Sequence, residues 1–126
     1  MRENISSGAP WEDIVGYSRA VKIGNTIEVS GTAPVQNGQV TGKTAYEQTK
    51  VCLEIIQEAL EKAGASMKDV VRTRMFVTDI TQWEEIGKAH GEFFANIKPA
   101  TAMIEVSQLI DPEMLIEIEA AAVISS

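Results

Sequence analysis

The sequence predicts an α+β domain in which two helices cover one face of a single β-sheet. Five segments show the alternation of polar and apolar residues that is typical of strands, and two segments repeat apolar residues at helical spacing. Their order along the chain is strand, strand, helix, strand, helix, strand, strand. With 126 residues, 44% of them hydrophobic, the chain has the size and composition of one domain with one core.

The amino-terminal part of the chain predicts a leader followed by a β-hairpin. Glycine, serine and proline between Ser6 and Pro10 indicate a loosely ordered leader over residues 1–12 of a single domain that spans residues 1–126. Strands are predicted at Tyr17–Ile23 and Thr26–Ser30, and the Gly24-Asn25 pair between them suits a tight turn.

Each helix is predicted from a capping pattern and an apolar stripe. Thr44 with Glu47 begins the first helix, which Gly64 ends, and Thr81 with Glu84 repeats the capping pattern before the second helix. The single cysteine and the single histidine fall on these stripes, so we interpret Cys52 as a small buried hydrophobe and His90 as a core or interface imidazole with one hydrogen-bond partner.

Charged residues inside the later strands form the most informative pattern. Strands are predicted at Val70–Val77, Ala100–Val106 and Leu115–Ile124, and the apolar side chains of the first and last, including Val71, should face the helices. The opposite face would carry Arg72, Arg74, Phe76, Glu117 and Glu119, with Glu105 added if its strand lies in the right register. Either this face is solvated and paired across strands, or another subunit covers it and the charges line an interface or a pocket.

Composition excludes several classes of function. The chain has 18 acidic and 11 basic residues and a net charge of −7, which argues against a phosphate-binding or nucleic-acid surface. One cysteine allows neither an intramolecular disulfide nor a paired Cys and His zinc site, and we expect no cofactor or metal. No apolar run approaches the roughly 20 residues of a membrane span, so we expect a cytoplasmic protein.

The chain resembles the RidA family, also called the YjgF/YER057c/UK114 family, from about Gly16 onward. No nucleophile elbow, P-loop or dinucleotide-binding glycine pattern competes with this resemblance. The resemblance rests on the order and spacing of short motifs, which are Gly16 to Val21, Val29-Ser30-Gly31, Val70 to Asp79, Pro99-Ala100-Thr101, Ile104-Glu105-Val106 and Ile116 to Ala120. The resemblance implies a chorismate-mutase-like fold and a homotrimer whose sheets form a central barrel, with a small-molecule ligand held in clefts between subunits.

Deaminating members of the family hydrolyse a short 2-imino acid to a 2-keto acid and ammonia. Matched by motif, the resemblance assigns Glu117 to orienting or activating water, and Tyr17, Ser30 and Gly31 to substrate binding. A carboxyl group within hydrogen-bond reach of the reacting atoms can assist both water addition and amine departure.

Three further site positions depart from the deaminase pattern. Thr101 stands where the family motif has the arginine that grips the substrate carboxylate, Met103 where cysteine is frequent, and Gly87 where asparagine is frequent. Losing a charge-assisted bidentate contact costs on the order of 2 to 5 kcal/mol of binding if nothing substitutes. Arg19 or Arg74 could replace that arginine, because both could reach the cleft.

Two classes of function therefore stay open. The first is an enamine or imine deaminase-type hydrolase, and the second is a trimer that binds a small ligand or a protein without catalysis. The endoribonuclease and translation-inhibitor activities described for some family members fit less well. RNA cleavage normally needs an acid–base pair and cations that neutralise phosphate, whereas this acidic chain has one histidine.

Overall fold

The computed structural model describes residues 1–125 and contains a mixed six-stranded sheet. In chain order its strands are β1 (Arg2–Ile5), β2 (Ala20–Ile23), β3 (Thr26–Thr32), β6 (Val70–Val77), β7 (Ala100–Glu105) and β8 (Ile116–Val123). The spatial order is β1-β2-β3-β8-β6-β7, and every neighbouring pair is antiparallel except β6 and β7. A separate short ribbon pairs β4 (Val35–Gln36) with β5 (Gln39–Val40). The predicted α+β class and the β2–β3 hairpin are confirmed.

Two helices, α1 (Ala45–Lys62) and α2 (Trp83–Phe94), pack against each other, and α1 also packs against β3 and β8. The capping box of Thr44 and Glu47 is confirmed, as is the end of α1 at Gly64, whose φ of +85° suits glycine. The predicted capping role of Thr81 is wrong. Its backbone N–H bonds the Asp79 carboxylate, which starts a 3₁₀ turn, so α2 begins at Trp83 without a side-chain cap. Neither helix is long and apolar enough to cross a membrane.

The core lies between the helices and one face of the sheet. Cys52 is completely buried there, as predicted, and burial raises the pKa of its thiol. A thiol that stays protonated acts as a small hydrophobic group. The other large side chains with no exposed surface include Ile27, Leu53, Ile56, Leu60, Ile116 and Ile118.

The amino terminus differs from the predicted loosely ordered leader. Residues Arg2–Ile5 form the edge strand β1, and Ile5 is buried opposite Ala20. A π-helical turn follows at Glu12–Gly16. Glu12 is only 6% exposed, and its carboxylate accepts hydrogen bonds from the Ser6 hydroxyl and from the backbone N–H and hydroxyl of Ser7. These contacts order a segment whose serines, glycine and proline suggest a loop.

Val71 does not lie on the buried face that was predicted for it, because a β-bulge interrupts the pairing of β6 with β8 beside it. The pairing of β6 with β8 slips by one residue between Val70 and Arg72, and Val71 is 48% exposed as a result. Beyond the bulge the predicted alternation holds, because Thr73, Met75 and Val77 are buried on the helix side.

Candidate functional site

The sheet face opposite the helices carries the predicted charged side chains in a partly paired state. Arg74 lies opposite Glu119, and its Nη1 is 3.7 Å from Oε1 of Glu119. Both side chains are between two fifths and half exposed, so this ion pair contributes little to stability. Glu117 lies opposite Phe76 instead of an arginine. Cross-strand pairing therefore involves Glu119 and leaves Glu117 out.

Glu105 does not join this face. The parallel register places it opposite Val77, whose side chain points to the helix side of the sheet. Its carboxylate accepts a hydrogen bond from the backbone N–H of Ile80 at 3.0 Å, at the start of the 3₁₀ turn before α2. Glu105 thus ties the end of β7 to the connection between β6 and α2.

The carboxyl group of Glu117 occupies the space that a side chain at Gly31 would need. A Cβ at Gly31 would overlap Oε2 of Glu117 and lie 3.1 Å from its Cδ. The pairing of β3 with β8 slips between Val29 and Thr32, so Gly31 lies in an irregular stretch of strand. Within residues 1–125, neither a hydrogen bond nor an ion pair within 4.0 Å holds Glu117. Its carboxyl is half-buried.

The pKa of Glu117 is raised above the ordinary value of a glutamate. Burial is the main cause, the positive charge of Arg19 acts in the opposite direction, and the negative charge of Glu119 raises the pKa further. A raised pKa brings a carboxyl group closer to the neutral range in which general acids and bases transfer protons efficiently.

Arg19 connects the other residues around Glu117. Its Nη2 donates to the Gly31 carbonyl at 2.7 Å, and its carbon Cζ lies 5.7 Å from the centre of the Tyr17 ring. The Ser30 backbone N–H donates to the Arg19 carbonyl, and the Ser30 hydroxyl donates to the carbonyl of Ser18. Arg19 Nε is buried and has no hydrogen-bond partner among the described residues. The structure thus brings Tyr17, Arg19, Ser30, Gly31 and Glu117 together.

A polar pocket of about 490 Å³ lies beside this group. Tyr17 and Ser30, two of the residues that the resemblance assigns to substrate binding, line it. Sequence reasoning missed part of its wall, because that wall comes from β1 and the π-helical turn, which were not expected. The lining residues that were not predicted as site residues are Arg2, Asn4, Asp13, Gly16, Ser18 and Val21.

Three further predicted site residues, Thr101, Met103 and Gly87, lie on the helix side of the sheet, unlike Arg74, and are treated as a second group. The Thr101 hydroxyl is 2.9 Å from the Thr73 hydroxyl, which is in turn 2.9 Å from Nε2 of His90. The predicted single partner of His90 is thereby confirmed. Met103 packs beside the core opposite Met75. Gly87, the third member of this group, lies on α2, and a Cβ at this position would meet open space.

Within one chain the two groups stay apart. Glu117 and the side chains of Thr101 and Met103 lie on opposite faces of the sheet, with β6 between their strands. A site that used both groups would need two copies of the chain. Over residues 1–125, no three His, Cys, Asp or Glu side chains cluster closely enough to hold a metal ion.

Known proteins share this fold and sequence over most of the chain. Residues 8–124 match the family described as Endoribonuclease L-PSP. The crystal structure of Rv2704 from Mycobacterium tuberculosis, a member of the YjgF/YER057c/UK114 family, is 46% identical with a TM-score of 0.92, covering 98% of this chain and 100% of that one.

Two curated relatives support the same family assignment. A RutC family protein of Pyrococcus abyssi is 39% identical over 84% of this chain and 84% of its own length. The 3-aminoacrylate deaminase RutC of Acinetobacter baylyi is 35% identical over 84% of this chain and 85% of its own length. The matched fold, the matched length and these identities place the chain in the YjgF/YER057c/UK114 family, which includes the RidA and RutC proteins.

Proposed function

We propose that this protein is a hydrolase that deaminates a small enamine or imine, with Glu117 as its acid–base residue. The observation that carries the proposal is the state of Glu117. Its carboxyl group is half-buried, has a raised pKa, and is bound by no cation or hydrogen-bond donor within the described part of the chain. Arg74 pairs with Glu119 instead. A carboxyl kept solely for structure would be expected to pair with that neighbouring arginine.

The reaction follows from what one carboxyl group can do. Ionised Glu117 takes a proton from water as the water oxygen bonds to the carbon of the protonated imine, which gives a neutral carbinolamine and a protonated Glu117. Protonated Glu117 then returns its proton to the amine nitrogen. The carbon–nitrogen bond breaks, the hydroxyl proton passes to solvent water, and ammonia leaves with a carbonyl product. Water and the imine are consumed in equal amounts, and the carboxyl group is regenerated.

The proposed assembly is a homotrimer with clefts between subunits. Its support is the separation of the two groups of predicted site residues, which could meet only across chains. Sedimentation should give three times the chain mass of 13.7 kDa. If each cleft uses both groups, co-refolding inactive Glu117→Gln with inactive Gly87→Trp chains should restore part of the activity, because some clefts receive two intact halves. No recovery in proven mixed trimers would contradict a shared cleft.

The substrate need not carry a carboxylate in the usual place. Thr101 supplies one neutral hydroxyl, and Arg74 is already paired, so Arg19 is the better candidate to bind an anionic group. Its Nη2 already binds Gly31, but its remaining donors could face a ligand. Activity that survives both Arg19→Ala and Arg74→Ala would show that neither arginine replaces the missing one.

Freshly generated 2-aminoacrylate, 2-iminobutanoate and 3-aminoacrylate test the proposal. We expect ammonia release above a buffer blank for at least one substrate and a loss of about 100-fold or more in Glu117→Gln, because removing an acid–base group typically costs between about 100-fold and 10,000-fold. Glu28→Gln is a matched control, because Glu28 is exposed and lies opposite Ala121. Rates equal to the blank with all three substrates would refute the hydrolase.

A trimer that binds a small ligand without catalysis is the second candidate. It is favoured by Thr101, whose hydroxyl contacts the Pro99 carbonyl and Thr73 in place of a charged grip on a substrate. Ligand binding without turnover, unchanged in Glu117→Gln, would support it. Ribonuclease activity remains disfavoured by the net charge of −7. Metal-independent RNA cleavage that His90→Ala abolishes would overturn that judgement.

A further inference from the structure

An arginine from the edge strand β1 lines the polar pocket of about 490 Å³ together with Tyr17 and Ser30. This residue is Arg2, three positions before Ile5, which is buried on the helix side of the sheet. Since side chains alternate along a strand, Arg2 points to the opposite face, which also carries Glu117. The strand that the sequence did not predict therefore brings a positive charge into this pocket.

The guanidinium of Arg2 is held in position without being neutralised. Its Nε donates to Oδ1 of Asn4 at 2.9 Å, and the two residues share a face because they are two positions apart in a strand. Among residues 1–125, no carboxylate lies within 4.0 Å of this guanidinium. The N–H groups of Nη1 and Nη2 are therefore available, and their planar fork matches the two oxygens of a carboxylate.

The other arginines near Glu117 have less of their guanidinium to offer. Arg19 donates through Nη2 to the Gly31 carbonyl at 2.7 Å, and its Nε is buried. Arg74 is 3.7 Å from a carboxylate oxygen of Glu119. Over the described part of the chain, Arg2 is the one arginine that lines the polar pocket.

We propose that Arg2 binds the carboxylate of the ligand in this pocket, and that Asp13, which also lines it, favours a ligand with a positive charge as well. The ligand class is a small zwitterion, such as a protonated 2-imino acid or an amino acid. An arginine from β1 would then supply the contact that Thr101 cannot make. The inference rests on the proposed function in taking this pocket, beside Glu117, as the place where the substrate binds.

A simple anion suits the pocket less well than a zwitterion. Arg2 attracts the carboxylate of either ligand, but the negative charge of Asp13 repels a ligand whose only charge is a carboxylate. A protonated imine or an ammonium group offers Asp13 an opposite charge instead. The pocket should therefore distinguish ligands by both of their charges.

Alanine, propionate and alaninamide test this charge pattern without any reaction. Alanine carries both charges, propionate lacks the positive one, and alaninamide lacks the carboxylate. Titrations followed at the backbone amides of Asn4 and Tyr17 should show alanine as the tightest ligand. Arg2→Gln should weaken alanine about tenfold or more, as expected for a hydrogen bond between charged groups, and should leave alaninamide unchanged. Asp13→Asn should remove the advantage of alanine over propionate.

Lys68→Gln is the matched control, because Lys68 is exposed, does not line the pocket and removes the same charge as Arg2→Gln. This variant should leave all three affinities unchanged. Signals of the β1 backbone amides show whether the strand is intact in each variant. Equal binding of alanine by the wild type and Arg2→Gln, tighter binding of alaninamide than of alanine by the wild type, or binding of none of the probes would overturn the proposal.

Turnover separates this inference from the hydrolase. With 2-iminobutanoate, Arg2→Gln should raise KM about tenfold and leave kcat nearly unchanged, because it removes binding that the ground state and the transition state share. An unchanged KM in an active hydrolase would remove the role of Arg2 and leave the hydrolase standing. Alanine binding that depends on Arg2, without turnover of any imine, would remove the hydrolase and leave a site for a small zwitterion.

Discussion

Gly31→Ala tests whether the position of the Glu117 carboxyl matters. The new Cβ would overlap Oε2 of Glu117 and stand 3.1 Å from its Cδ, so the carboxyl has to move by about 1 Å to reach ordinary contact distance. Gly31 is not in the left-handed region, so alanine adds no backbone strain. A displacement of about 1 Å at a reacting group can lower the rate about 100-fold. We expect that loss, with the free energy of unfolding changed by less than about 1 kcal/mol.

The assay compares kcat/KM for imine hydrolysis with urea unfolding of the same variant. Gly91→Ala is the matched control, because Gly91 lies in α2 with open space around its would-be Cβ. That change should stabilise the helix by up to about 1 kcal/mol and leave kcat/KM unchanged. Normal activity in a folded Gly31→Ala protein would refute the reasoning, because it would mean that the carboxyl does not need its place against Gly31.

Three further predictions concern stability. The pKa of Glu117 in the folded state lies above its unfolded value near 4.5, so the folded protein binds the proton more tightly. It therefore loses stability as the pH rises from 4.5 through the folded-state pKa. Glu117→Gln has no carboxyl to ionise and should raise Tm at pH 7. For Glu12, burial raises the pKa but the hydrogen bonds from Ser7 and Ser6 outweigh it, so the folded pKa is lowered and its stabilisation, present above pH 4.5, is lost as pH falls through the folded value. Glu12→Gln should cost about 1 to 3 kcal/mol in urea unfolding at pH 7, and the cost should fall as the pH is lowered below 4.5. A cost that does not change with pH would contradict the charge argument. Leu60→Ala, in the core with no exposed surface, should cost about 2 to 5 kcal/mol in the same measurement, and a cost under 1 would show that the core collapses around the gap.

Local patterns in the sequence predicted the structure correctly where each feature depends on residues that are close together in the sequence. The capping box at Thr44, the apolar stripe through Cys52 and the stop at Gly64 all concern residues within a few positions of one another, and each is confirmed. The alternation in β6 and β8 placed Arg74 and Glu119 on one face, where they pair across strands.

Predictions were wrong where a distant or unexpected partner intervened. Val71 left the buried face because of a bulge against β8, and Glu105 left the charged face because of the register of β7 against β6. Thr81 lost its capping role to the neighbouring Asp79. The segment Arg2–Ile5 became a strand because β2 offered an open edge and Ile5 a buried contact, neither of which is visible in the leader's own composition.

The sequence by itself determined the α+β class, the helix positions and the family, because periodicity and short motifs are properties of the chain in one dimension. Only the tertiary structure decided which charges pair, because sheet register sets Arg74 against Glu119 and leaves Glu117 beside Gly31. It likewise decided that Thr101 points to the helix side, where its hydroxyl contacts that of Thr73, which in turn contacts His90. These contacts join residues from distant parts of the chain, and no local pattern specifies them.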